Sequence, residues 1–320
     1  MIDHPLPLSP HRCIRFCVKS GRFYNAIIPN SISMNRHLKW AQKVAAHYAC
    51  HPAVGAIVMG GSAARGTAGP ASDVDLGIFW KKVPSVEELE SAMGAYGGQL
   101  ERRVDNAKRY APDNPRRHGC IEILEVHDSS DTMPFDLEHE TIAGTEEVFT
   151  QTLENLDPSL ENQELLSVLR DGVYLHQIPA TAAWQQRAAT YPTALAQRTV
   201  VRHMTRFADV LKQQHHWLAA GDWTCFHEGT LELTRRLFLA LLALNRVWAH
   251  TDNFSFKGMG GVIEKLQRQP EQFGSRLGEA AWPDTRGLAR FAALGHQVIE
   301  LATDLGLAVD LEAVRRQGDW

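Results

Sequence analysis

The chain has 320 residues, of which 44% are apolar and 22% charged, the balance of a folded protein long enough for two packed domains. No apolar run approaches the roughly 20 residues that span a bilayer, so a membrane protein is not expected. The net charge is −4 and Arg102, Arg103, Lys108, Arg109, Arg116 and Arg117 form only a loose basic cluster, which favours a small-molecule partner over a nucleic acid gripped through its phosphates.

Residues 1–33 lack periodicity and read as an irregular arm, with Met34 as an alternative start of the protein. Leu38, Ala41, Val44, Ala45 and Tyr48 supply one apolar side of a helix over 35–50, which His51-Pro52 ends. Val54–Met59 has the length and apolarity of a buried strand, and 73–80 of a second strand. A helix over 84–93 follows, with Pro84 in its first turn and Glu87 and Glu88 near its N-terminus. Strands at 121–127 and 133–140 flank turn-forming residues and predict an antiparallel hairpin. This first domain spans 34–145.

Beyond it the texture is helical, over 146–156, 161–169, 181–189, 193–219, 230–248, 261–268 and 288–305, with proline and glycine at the breaks. The apolar run 237–244 reads as core. His203, His215 and His216 read as partly buried histidines rather than ligands, and Trp217, Trp223 and Trp248 as packing residues rather than stacking platforms. Cys13, Cys17, Cys50, Cys120 and Cys225 are odd in number and lack the spacing of a zinc site. Together with an N-terminus devoid of an apolar signal core, they point to reduced thiols in a cytoplasmic protein.

Most chemistry is concentrated in Gly60-Gly61-Ser62-Ala63-Ala64-Arg65-Gly66-Thr67-Ala68-Gly69-Pro70-Ala71-Ser72-Asp73-Val74-Asp75-Leu76. A strand runs into two glycines that let the backbone approach a phosphate closely, and Ser62 adds a hydroxyl donor. In the following strand Val74, Leu76, Ile78 and Trp80 share one face, while Asp73, Asp75, Gly77 and Phe79 share the other. Two carboxylates placed side by side repel unless a cation lies between them, and such a pair can bridge two magnesium ions about 3.5–4 Å apart. A two-metal site beside a phosphate-binding loop suits attack on the α-phosphorus of a nucleoside triphosphate, with pyrophosphate leaving.

The string resembles the signature of the polymerase-beta-like nucleotidyltransferases, Gly-Ser followed about ten residues later by Ser-Asp-x-Asp. The likeness extends to the antibiotic-modifying, kanamycin-type branch, at whose spacing Ser62, Arg65, Gly69, Pro70, Ser72, Asp73 and Asp75 fall. This resemblance implies an α+β fold, a small mixed-sheet nucleotidyltransferase domain followed by an all-helical substrate-binding domain over 146–320. It implies Mg2+ as cofactor and ATP as co-substrate, with Gly61, Ser62, Arg65 and Ser72 around the nucleotide. Arg65 reads equally well as a surface arginine near a turn. Lys257 could reach a β- or γ-phosphate, against its reading as a solvated charge after a helix.

The resemblance also implies a third carboxylate on a neighbouring strand, beside Asp73 and Asp75. Asp136 is preferred, because Phe135 and Leu137 alternate with Asp136, Glu138 and Glu140, and uncharacterised bacterial relatives with a helical tail read Asp-Leu-Glu-His there. Glu122 competes, being similar to an essential glutamate of the aminoglycoside-modifying members, and near the metals it would serve as general base. The expected reaction is transfer of AMP to a hydroxyl of a small molecule, with aminoglycoside-like or lincosamide-like acceptors in view. The alternatives are a non-catalytic nucleotide sensor or antitoxin-like regulator on the same fold, and nucleotidylation of RNA or a protein.

Overall fold

The computed structural model describes residues 32–105, 120–128, 131–249 and 259–307. All but the end of the arm expected at 1–33 lies outside them; helix α1 begins at Ile32 and runs to Tyr48. The chain divides into two compact units. The first extends to Thr150 and adds Leu166–Ala189; the second takes Gln151–Leu165 and continues from Thr190. The segment 166–189 therefore packs with the sheet, although it follows the boundary suggested by the change in sequence texture.

In the first unit the described residues form a six-stranded sheet of order β3-β4-β5-β2-β1-β6. Its strands are β1 (Val54–Met59), β2 (Val74–Trp80), β3 (Gly98–Asp105), β4 (Cys120–His127), β5 (Thr132–Thr141) and β6 (Val173–Gln177). All neighbours are antiparallel except β2 and β5, which run parallel. The hairpin β4–β5 forms as expected, its turn fixed by the Asp131 N–H donating to the Asp128 carboxylate at 2.9 Å. β3 and β6 are additional to the expected strands. β3, with Gly98, Gln99, Glu101, Arg102 and Arg103, is a polar edge strand, and β6 is a short edge strand that never becomes fully buried. Neither shows the alternation or apolar run that marks a strand in sequence.

One sheet face carries the main core of this unit. Trp40, Ala41, Val44 and Tyr48 of α1 pack there with Val74, Leu76, Ile78 and Trp80 of β2 and Phe135 and Leu137 of β5. Helix α3 (Val86–Tyr96; α2 is the short turn Gly61–Ala64) adds Leu89 and Tyr96. It starts later than Pro84 because Ser85 and Glu88 form a capping box, with bonds of 2.8 and 3.2 Å between their side chains and backbone amides. The opposite face is covered at the C-terminal end of β2 by α4 (Ile142–Phe149) and α6 (Trp184–Ala188). There Phe79 meets Trp184 at 5.1 Å between ring centroids, and Trp184 donates to Glu146 at 2.6 Å. α4 begins at Ile142 rather than 146, because the Thr141 hydroxyl accepts from the Gly144 amide. Helix α5 (Leu160–Asp171) runs across the division between the units.

The second unit is helical among its described residues. Helices α7 (Thr193–Ala220) and α8 (Trp223–Leu244) pack along each other, joined at Gly221 in the left-handed conformation. α8 starts at 223, a full turn and more before the expected 230, because Asp222 caps it by accepting from the Cys225 amide at 3.1 Å. α9 (Met259–Ile263) and α10 (Phe273–Ala280) precede α11 (Thr285–Asp304), which packs on α7 and α8. Among the described residues no helix is long and apolar enough to cross a membrane.

His203 of α7 is buried, and its Nδ1 accepts from Arg236 of α8 at 3.0 Å. Burial, reinforced by Arg236 and Arg202, pushes its pKa down to about 3. An unfolded histidine titrates near pH 6.5, so below that pH the unfolded chain takes up a proton that the folded site refuses. The neutral histidine's contribution is complete above pH 6.5 and is lost as pH falls towards 3, amounting to about 2 kcal/mol at pH 5. Denaturant unfolding at pH 7.5 and pH 5 should show that loss in the native protein and show it removed in His203→Gln; equal pH dependence in both would refute the assignment.

Candidate active site

β1 ends at Met59 and the chain turns through Gly60 and Gly61 into the helical turn α2, then loops back to β2. The Gly60 amide donates to the Asp75 carbonyl at 2.9 Å, which ties the turn to the start of β2. Gly61 has φ +61°, and a Cβ built on it would lie 1.6 Å from Oδ2 of Asp75. Both facts require glycine here: a side chain would be strained in this conformation and would collide with the carboxylate. The loop is closed by Thr67, whose N–H and hydroxyl donate to the Ser62 carbonyl at 2.9 and 3.3 Å. Ser72 closes the second half, its hydroxyl accepting from the Gly69 amide at 3.0 Å.

Asp75 and Asp136 are paired across the parallel strands β2 and β5. Partners in register present side chains to the same face, so the two carboxylates stand side by side. Asp73, two residues before Asp75, joins them. One carboxylate oxygen from each of Asp73, Asp75 and Asp136 lies within 4.8 Å of the others, and all three residues are partly buried. Burial, then the negative charges of Asp73 and Asp136, push the Asp75 carboxyl up to about 7; the positive charge of Arg65 opposes the shift and Glu138 adds to it. Three carboxylates this close repel unless they are protonated or share a cation. Magnesium takes hard oxygen ligands of this kind, so the trio fits a divalent ion.

Sequence reasoning placed Glu122 as the competitor of Asp136, and the fold separates them. Glu122 pairs in register with Leu137, a core residue, whereas Ile123 pairs with Asp136. Glu122 therefore lies on the opposite sheet face, fully buried. There it accepts from Arg103 at 2.7 and 2.9 Å and from Nε2 of His139 at 3.0 Å. Nδ1 of His139 in turn accepts from the Trp80 indole at 3.1 Å, which assigns the proton to Nε2. Burial alone would raise the Glu122 pKa, but the hydrogen bonds from His139 and Arg103 and the positive charge of Arg103 outweigh it and hold it below the ordinary value. Glu122 is a structural anion, and the general-base role suggested for it falls away.

Arg65 is exposed at the end of the α2 turn and within electrostatic reach of Asp75. Ser62 sits in that turn, partly exposed. Lys257 lies outside the described residues. Glu138 was not singled out from sequence, although the alternation of Asp136, Glu138 and Glu140 carries the signal. It pairs with Gly77, is partly buried, and acts on Asp75.

Two substitutions separate the faces. Gly61→Ala should lower Mn2+ affinity on the order of 10- to 100-fold by displacing Asp75. Glu122→Ala should cost about 1–3 kcal/mol of stability by removing the buried acceptor that Arg103 and His139 share, with Mn2+ affinity unchanged. Isothermal titration and denaturant unfolding measure both, and metal loss in the Glu122 variant at intact fold would contradict the two-face division.

Residues 43–131 match the family model of the nucleotidyltransferase domain. That span holds Gly61, Ser62, Asp73 and Asp75 and stops short of Asp136. No curated protein matches the chain. Among solved structures it is similar to a nucleotidyltransferase-like protein from Exiguobacterium sibiricum, with 11% identity, 88% of this chain and 81% of that one covered, and a TM-score of 0.43. The matched residues, lying on the mixed sheet that carries the glycine-serine turn and Asp75, give this chain a nucleotidyltransferase domain.

Proposed function

We propose that the protein transfers a nucleoside monophosphate, AMP from ATP, to a hydroxyl of a small-molecule acceptor in the cytoplasm. The observation that carries this reading is the convergence of Asp73, Asp75 and Asp136 beside Gly61. In it, the three aspartates hold divalent cations, and Gly61 and Ser62 cradle the triphosphate with Arg65 lending positive charge. Magnesium held there supplies Lewis-acid activation of the attacking oxygen and charge neutralisation of the leaving pyrophosphate.

The residues of this chain position and neutralise. Gly61 admits the carboxylate of Asp75 where any side chain would exclude it, and Ser72 holds the loop that delivers Asp73. Glu138, on the same face and two residues past Asp136, is the carboxylate we assign to take the acceptor's proton. The acidic total and the absence of a dense basic block favour a small acceptor over RNA.

The test uses labelled ATP and magnesium with separate pools of antibiotics, other hydroxylated metabolites, RNA and cell protein. Acceptor-dependent pyrophosphate release should appear with a small-molecule pool and fall on the order of 10²–10³-fold or more in Asp75→Asn, as when one preorganised charge-stabilising group is removed. Glu138→Gln should lower kcat while leaving Mn2+ affinity in place. Tight ATP binding with no turnover in any pool would favour a nucleotide sensor, and labelling confined to RNA or protein would replace the acceptor class.

A further inference from the structure

Asp73 stands just before β2, whose pairing with β1 and β5 begins at Val74 or later. Its backbone is therefore outside the ladder that fixes Asp75 and Asp136, and something else must set its position. The peptide unit joining Ser72 to Asp73 is held from α1. Nε2 of His37, a fully buried side chain, donates to the Ser72 carbonyl at 3.0 Å. Because that carbonyl and the Asp73 amide belong to one planar unit, a bond to the oxygen orients the backbone entering Asp73.

The neighbouring residue completes the clamp. Arg36 donates through Nη1 to the Pro70 carbonyl at 3.3 Å, in the same loop. Its other donors reach the start of β5: Nε and Nη2 bond the two oxygens of Asp131 at 3.0 and 2.9 Å, and Nη2 also bonds the Thr132 carbonyl at 3.2 Å. Trp40, one turn along α1, adds an indole bond to Asp131 at 3.4 Å. One helical turn thus grips the loop that ends in Asp73 and the strand that carries Asp136.

We propose that Arg36 and His37 are positioning residues that set Asp73 against Asp75 and Asp136, and through them the cation affinity of the site. This inference rests on the nucleotidyl-transfer reading. The guanidinium fork gives Arg36 a fixed planar geometry towards Asp131 that lysine cannot reproduce. His37 contributes a single buried donor to a carbonyl that would otherwise lose its partner.

The experiment is titration of the full-length protein with Mn2+ alone, alongside thermal unfolding and, where an acceptor is found, kcat and KM. His37→Ala and Arg36→Met should each weaken Mn2+ binding on the order of 10- to 100-fold, the scale of losing a group that orients metal ligands. His37→Gln, which restores a donor, should recover most of it. If the space left by His37→Ala unfolds the chain, Arg36→Met at its partly exposed site and His37→Gln decide the matter. Wild-type Mn2+ binding retained unchanged in folded Arg36→Met, or Gln no better than Ala in folded variants at position 37, overturns the inference while the functional reading stands. Absence of Mn2+ binding by the wild-type protein overturns both.

Discussion

The site depends on one act of strand pairing, the parallel registration of β2 with β5 that sets Asp75 beside Asp136. Parallel neighbours cannot be joined by a tight turn, so the chain must travel through α3, β3 and β4 before β5 returns to β2. Residues far apart in sequence thereby become lateral neighbours with parity fixed by the pleat. A slip of one residue would carry Asp136 to the buried face and bring Leu137 to the face of Asp75. The apolar partners of Asp136 prevent that slip: Phe135 and Leu137 are fully enclosed against α1 and α3. Core packing on one side of the sheet is what specifies charge crowding on the other.

The same parity explains two carboxylates with opposite fates. Glu122 faces the core side and is satisfied by Arg103 and His139, so its charge is compensated within the fold. Asp75 faces the other side, where its near neighbours are carboxylates, and the positive charge of Arg65 opposes the rise in its pKa. A buried anion with two built-in donors is complete within the fold. A partly buried anion surrounded by its own kind is incomplete without a cation, and that asymmetry separates structure from chemistry more sharply than residue type does.

Much of this was legible in the chain itself. The turn at Gly60-Gly61, the alternation through Asp73 and Asp75 and the hairpin bearing Asp136 are local patterns, and local patterns survive in sequence. The choice between Asp136 and Glu122 was not local, since each lies on an alternating strand and only register tells which face looks at Asp75. β3 and β6 escaped for a related reason: edge strands need not bury both faces, so composition carries little trace of them. Helix starts at Ile142 and Trp223 were hidden because single capping residues, Thr141 and Asp222, fixed them, ahead of the apolar periodicity.

The clamp from α1 shows the deepest such limit. His37 and Arg36 act on the carbonyls of Ser72, Pro70 and Thr132, and a carbonyl is the same group in every residue. The receiving end of such a bond leaves no mark in the sequence, so spacing rules that recognise carboxylates and glycines pass over it. Both donors also precede residue 43, where the match to the nucleotidyltransferase domain begins. The motif identifies the residues that carry charge, whereas the geometry that makes the charge useful is supplied by a helix outside it. A ligand set held partly by a strand ladder and partly by a loop needs such an external brace, because the ladder ends at Val74 and the chemistry begins one residue earlier.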